Sequence, residues 1–157
     1  MTDLVDAAAQ RLQIAEPVAA FKWGAGTAIE DPARVREQLT ALAADATAHH
    51  VDPDYVTRVF ADQIAATGAA EYQRFAQWKL DPASTPSAPP DLSDSRARID
   101  TLNQVMVAQI EVRWDLLHSP ECAARLDEAQ RDVGTARQLD TFDQRALSFA
   151  TRSYCQP

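Results

Sequence analysis

The sequence predicts an all-α fold, a single-domain bundle of about six helices. Apolar residues recur at spacings of three and four rather than alternating at two. A capping residue followed by proline marks the breaks between these periodic stretches. The chain also has 9 Pro against only 4 Gly, which disfavours a β-rich fold with many tight turns.

The first helix carries Leu4, Ala8, Arg11, Ala15, Val18 and Lys22 at alternating steps of four and three. At about 100° per residue, the register brings Lys22 to within about 20° of Arg11. Pro17 lies between them and is expected to bend the helix. The connection Gly24-Ala-Gly26-Thr-Ala28 leaves the end of this helix unfixed. Asp31-Pro32 opens a second helix, with Arg34 and Gln38 one turn apart beside Val35, Leu39 and Leu42. Asp52-Pro53 opens a third, whose stripe runs Val56, Phe60, Ile64, Thr67, Glu71, Phe75 and Trp78. Four prolines then make residues 81–93 an extended connection inside the domain, with Ser93 as the expected cap of the fourth helix. That helix aligns Arg96, Ile99, Asn103, Met106, Ile110, Trp114 and Leu117. Ser119-Pro120 and Asp140 mark the starts of the last two.

A length of 157 residues fits one domain, residues 1–157, large enough for a real core. Fifteen Lys plus Arg against 23 Asp plus Glu leave a net charge of −8, which argues against nucleic acid as a partner. The apolar runs fall far short of the ~20 residues that cross a bilayer, so no membrane association is expected. No signal peptide is visible after Met1-Thr2-Asp3, and a mature exported form would look the same. Cys122 and Cys155 read equally as two buried thiols or as one disulfide.

The informative pattern is charge on the apolar seams. Arg11, Lys22, Arg34 and Arg96 point inward, as does Glu71, in a chain that is acidic overall. Desolvating an unpaired ion costs several kcal/mol. Arg34 and Arg96 also fall near helix N-termini, where the dipole disfavours a cation. A small, multiply anionic ligand would answer both problems. The alternative is that the long side chains lay their stems on apolar surface and put the charge in water.

At these residues the sequence resembles the AroQ-class chorismate mutases, specifically the exported gamma-type bacterial enzymes. The likeness runs through Ala-Ala-Gln-Arg11-Leu, Pro17-Val-Ala-Ala-Phe-Lys22-Trp and Ile29-Glu-Asp-Pro-Ala-Arg34-Val-Arg-Glu-Gln38-Leu. It continues through Asp52-Pro-Asp-Tyr-Val-Thr-Arg-Val-Phe60, Gln63-Ile-Ala-Ala-Thr67-Gly-Ala-Ala-Glu71-Tyr and Asp91-Leu-Ser-Asp-Ser-Arg96, so that it spans nearly the whole chain.

The resemblance implies conversion of chorismate to prephenate, a unimolecular Claisen rearrangement needing no cofactor and no metal. Arg11 and Arg96 match the carboxylate-binding arginines, and Arg34 adds to the same anionic end. Lys22 matches the lysine that donates to the ether oxygen. Glu71 matches the second contact to that oxygen, held by Gln in some members, and must be protonated to donate. Gln38 matches the group holding the substrate hydroxyl, and Thr67 assists at a carboxylate. The resemblance further implies a Cys122–Cys155 disulfide, a homodimer, a whole site within one protomer, and a secreted or periplasmic location.

The other motifs carry less. Adjacent His49 and His50 face different ways on a helix and lack a helical ligand pair. His118 is expected in solvent, and Trp23, Trp78 and Trp114 as core or interface anchors. Two competing functions are a secreted helical interaction module, whose cations pair with its own acids, and a lyase acting on isochorismate.

Overall fold

The computed structural model describes residues 1–156. Among them are eight α-helices and no strand: α1 (Thr2–Gln13), α2 (Ala15–Ala25), α3 (Pro32–Ala48), α4 (Pro53–Leu80), α5 (Ser93–Val112), α6 (Trp114–Leu117), α7 (Cys122–Ala136) and α8 (Thr141–Ala150). The six helical stretches marked in the sequence become eight because two of them are interrupted. Pro17 has no N–H for the Gln13 carbonyl and its ring crowds that turn, so the first helix breaks at Ile14. Gly26 then ends α2 in the left-handed conformation, with φ of 66°, while the Thr27 N–H returns to the Lys22 carbonyl. The second interruption, at Arg113, involves neither proline nor glycine. There the Arg113 guanidinium reaches Asp3 at 2.8 Å, and Trp114 turns edge-on to Tyr55 with ring centroids 5.2 Å apart.

Asp31 and Asp140 cap α3 and α8 as expected, accepting the Arg34 and Asp143 N–H groups at 3.0 and 2.8 Å. Asp52 caps α4 through the Asp54 N–H at 2.9 Å. Two expected caps are corrected. Ser93 is the first residue of α5 rather than its cap; Leu92 holds the N-cap position without a side-chain bond, and the Asp91 carboxylate before it accepts the Ser93 N–H at 2.8 Å. Helix α7 begins at Cys122, because Ser119 Oγ donates to the Leu116 carbonyl at 2.8 Å and closes the preceding turn instead. The proline-rich connection also holds a 3₁₀ turn at Pro82–Ser84, with residues 85–89 irregular beyond it.

Helix α4 is the axis of the bundle, packing against α8, α3, α2 and α1. The main core joins Leu4 and Val5 of α1 to Val56 and Phe60 of α4, Met106 and Ile110 of α5, and Leu147 of α8. A second apolar cluster clamps α2 to the far end of α4 through Ala19, Ala20 and Trp78, with Trp23 edge-on to Phe75 at 5.0 Å. This cluster fixes the face of α2 that carries Lys22. His49 ties α3 to α5 by meeting Glu111 at 2.7 Å.

Cys122 and Cys155 form a disulfide, joining the start of α7 to the tail beyond α8. The tail is also held by Tyr55, whose hydroxyl donates to the Tyr154 carbonyl at 2.6 Å, and by Arg152 on Asp62 at 2.6 Å. A bridge spanning 33 residues of sequence constrains the unfolded chain substantially. Replacing both cysteines by serine is expected to cost about 3–4 kcal/mol. The melting temperature should fall by about 10 °C, and an unchanged melt would show that the bridge contributes no stability.

Candidate active site

One cavity of about 790 Å³ opens between α1, α2, α3, α4 and the start of α5. All seven residues singled out in the sequence line it: Arg11, Lys22, Arg34, Gln38, Thr67, Glu71 and Arg96. Helix geometry delivers them in pairs. Thr67 and Glu71 sit one turn apart on α4, and Gln38 follows Arg34 by one turn on α3. Ile14 and Val18, beside the Pro17 break, give the cavity part of its apolar wall.

Their surroundings differ in depth. Arg11 is only 2% exposed; its Nε donates to Asn103 Oδ1 at 2.8 Å and a terminal nitrogen donates to Thr67 Oγ1 at 3.3 Å. No carboxylate pairs with it among the described residues. Burial lowers its pKa to about 10, which leaves it cationic at neutral pH. Lys22 Nζ lies 2.7 Å from Glu71 Oε2 and 2.7 Å from the Ile29 carbonyl oxygen. Their side chains are 15% and 7% exposed, so this contact is nearly dry. Loss of hydration raises the Glu71 pKa, and the Lys22 hydrogen bond and charge oppose that rise without cancelling it.

The rim is wetter than the seam pattern implies. Arg34 is half-buried and pairs with Glu37 at 3.0 Å, so one of its own neighbours meets the charge placed near the N-terminus of α3. Arg96 is exposed rather than buried, at the cavity edge. It stands in the first turn of α5, whose first N–H is held by Asp91. Sequence reasoning missed Arg36, Glu30, Asp31 and Tyr72 as lining residues, and the Ile29 carbonyl as a partner of Lys22. Backbone acceptors in a loop leave no side-chain signal, and Arg36 stands off the apolar stripe of α3.

Relatives align over almost the whole chain. Residues 2–72 match the family described as chorismate mutase type II. A protein of Mycobacterium tuberculosis (strain ATCC 25618 / H37Rv) named secreted chorismate mutase is 60% identical over 156 residues, covering 99% of this chain and 78% of that one. The chain belongs to the chorismate mutase type II family. A second secreted chorismate mutase, from Mycolicibacterium smegmatis (strain ATCC 700084 / mc(2)155), is 54% identical, with 99% of this chain and 86% of that one covered. Among solved structures, the chorismate mutase from Burkholderia thailandensis is 36% identical, with a TM-score of 0.92 and 98% of each chain covered. The chorismate mutase from Burkholderia phymatum shares the fold, at 24% identity and a TM-score of 0.91 over 99% of this chain and 96% of that one. The segment matching the mutase family ends just after Glu71 and leaves Arg96 outside. The chorismate mutase fold nevertheless brings Arg96 to the same cavity as the other six residues. Among the described residues, no helix is long and apolar enough to cross a membrane.

Proposed function

We propose that this chain rearranges chorismate to prephenate, by a cofactor-free Claisen reaction held within one protomer's cavity. The observation that carries this reading is the combination of a dry Lys22–Glu71 contact with the deeper Arg11, which no carboxylate pairs among the described residues, on the wall of the same cavity. The substrate's compact conformer places one carboxylate against Arg11 and Thr67 and the other toward Arg34 and Arg96. Gln38 holds the hydroxyl. As the ether C–O bond breaks and the new C–C bond forms, negative charge grows on the ether oxygen. Lys22 donates to that oxygen, its remaining protons being held by Glu71 and the Ile29 carbonyl. A barrier reduction of about 8 kcal/mol, the minimum for a rate gain of ~10⁶, comes from positioning and preorganised charge alone.

Glu71 is the second donor. Its Oε2 accepts from Lys22, so Oε1 is the atom that carries the proton. Burial already raises its pKa, and a dianionic substrate beside it raises it further. The protonated form acts, so kcat/KM should fall as pH rises through the raised pKa. Glu71→Gln keeps an N–H donor that does not titrate, and its profile should be flat over the same range. The same alkaline fall in the variant would remove Glu71 from this role. Prephenate accumulation as chorismate absorbance decays is the direct test of the activity itself.

The reading extends to the whole of residues 1–157 acting as one domain, exported from the cytosol and working as a homodimer. The disulfide supports export, since such bonds persist in oxidising compartments. Exposed Val105 and Val112 lie two turns apart on one face of α5, where a second copy would pack, and sedimentation would detect the dimer.

A further inference from the structure

Arg11 is anchored by a neutral group where a charged one would be usual. Buried arginines are ordinarily matched by carboxylates. Arginine has only donors, so Asn103 turns its amide oxygen toward Nε, at 2.8 Å. Asn103 is itself buried and does not line the main cavity. It lines a smaller hollow of about 380 Å³ between α3 and α5, together with Glu37, Asp45 and Asp100. Carboxylates are therefore close at hand on this side, yet the side chain that holds Nε is an amide.

We infer that Asn103 is a positioning residue that orients the Arg11 guanidinium through a neutral acceptor, leaving its positive charge uncancelled for the ligand. The inference rests on the reading that Arg11 receives a substrate carboxylate. A planar guanidinium held at its Nε edge can no longer rotate about its stem. One terminal nitrogen then meets Thr67, and the side chain lines the cavity, where a carboxylate can reach the guanidinium. An aspartate in the same place would orient Arg11 at least as firmly, but it would also neutralise the charge and repel the incoming dianion. Asparagine therefore keeps the anchoring hydrogen bond and leaves the burial cost of the cation for the substrate to offset.

The test compares Asn103→Asp with Asn103→Ala, measuring KM and kcat on chorismate together with melting temperature. Asn103→Asp is expected to raise KM at least about tenfold, and by more than Asn103→Ala does. It should nonetheless melt higher than Asn103→Ala, because it gives Arg11 a counter-charge. In both variants kcat should change less than KM, since Arg11 grips ground state and transition state alike. A purely structural hydrogen bond would rank the aspartate above the alanine in both readouts. An Asn103→Asp protein with KM equal to or below that of Asn103→Ala overturns the inference, and so does one that melts lower or fails to fold. Arg11→Ala separates the two levels: unchanged substrate affinity there would instead remove Arg11 from carboxylate binding.

Discussion

Lys22→Ala is expected to lower kcat by about three orders of magnitude while leaving the folded structure in place. Lys22 Nζ is held at 2.7 Å by both Glu71 and the Ile29 carbonyl, so its remaining donor is fixed before substrate arrives. That preorganisation is useful chiefly when charge develops on the ether oxygen, so the loss should fall on kcat more than on KM. The fold survives because little packing depends on the ammonium and because Glu71 can take up a proton. Burial raises the Glu71 pKa in the folded state, and removing Lys22 removes the interactions that oppose this rise. A carboxyl group with a raised folded pKa stabilises the protonated form, and that stability is lost as pH rises through the folded value. The variant should therefore melt near wild type in acid and fall progressively below it as pH rises through the raised Glu71 pKa. Turnover by Lys22→Ala at the wild-type rate would dismiss the lysine from the chemistry.

Arg11→Met should lower kcat/KM by about three orders of magnitude, mainly through KM, with the melting temperature unchanged or higher. These opposite signs have one cause. Arg11 is 2% exposed and has an amide and a hydroxyl as its side-chain partners, with no carboxylate to offset its desolvation among the described residues. Folding bears that cost in the empty cavity, and a carboxylate-bearing substrate relieves it. Methionine has a similar length and flexibility, fills the space, and needs no hydrogen bond. A site whose function opposes its stability is the expected result of preorganised charge. A methionine variant that melts well below wild type and keeps its KM would mean that Arg11 serves the core instead.

Much of the site was legible along the chain because helical periodicity turns spacing into direction. Thr67 and Glu71 had to share a face, and so did Arg34 and Gln38, whatever packed against them. The proline breaks were legible for a similar reason: Asp31, Asp52 and Asp140 satisfy orphan N–H groups using only their immediate neighbours. The errors arose where distant contacts decide. Ser119 has the same local grammar as a cap, but its hydroxyl is taken by the Leu116 carbonyl. The Arg113 interruption has no proline or glycine to mark it and coincides with contacts to Asp3 and Tyr55, which are far away in sequence. Arg96 falls on a stripe that reads as buried and yet stands in solvent.

By itself, the sequence determined an all-α chain, the starts of its capped helices and the faces on which seven polar residues lie, because those follow from backbone geometry within a few residues. Only the tertiary structure decided that the five helix segments carrying them converge on one cavity. It also decided that Arg11 lies dry beside an amide while Arg96 stays wet, and that Lys22 is shared between Glu71 and a loop carbonyl. Desolvation and pairing depend on what arrives from elsewhere in the chain, and so does the charge state each group carries.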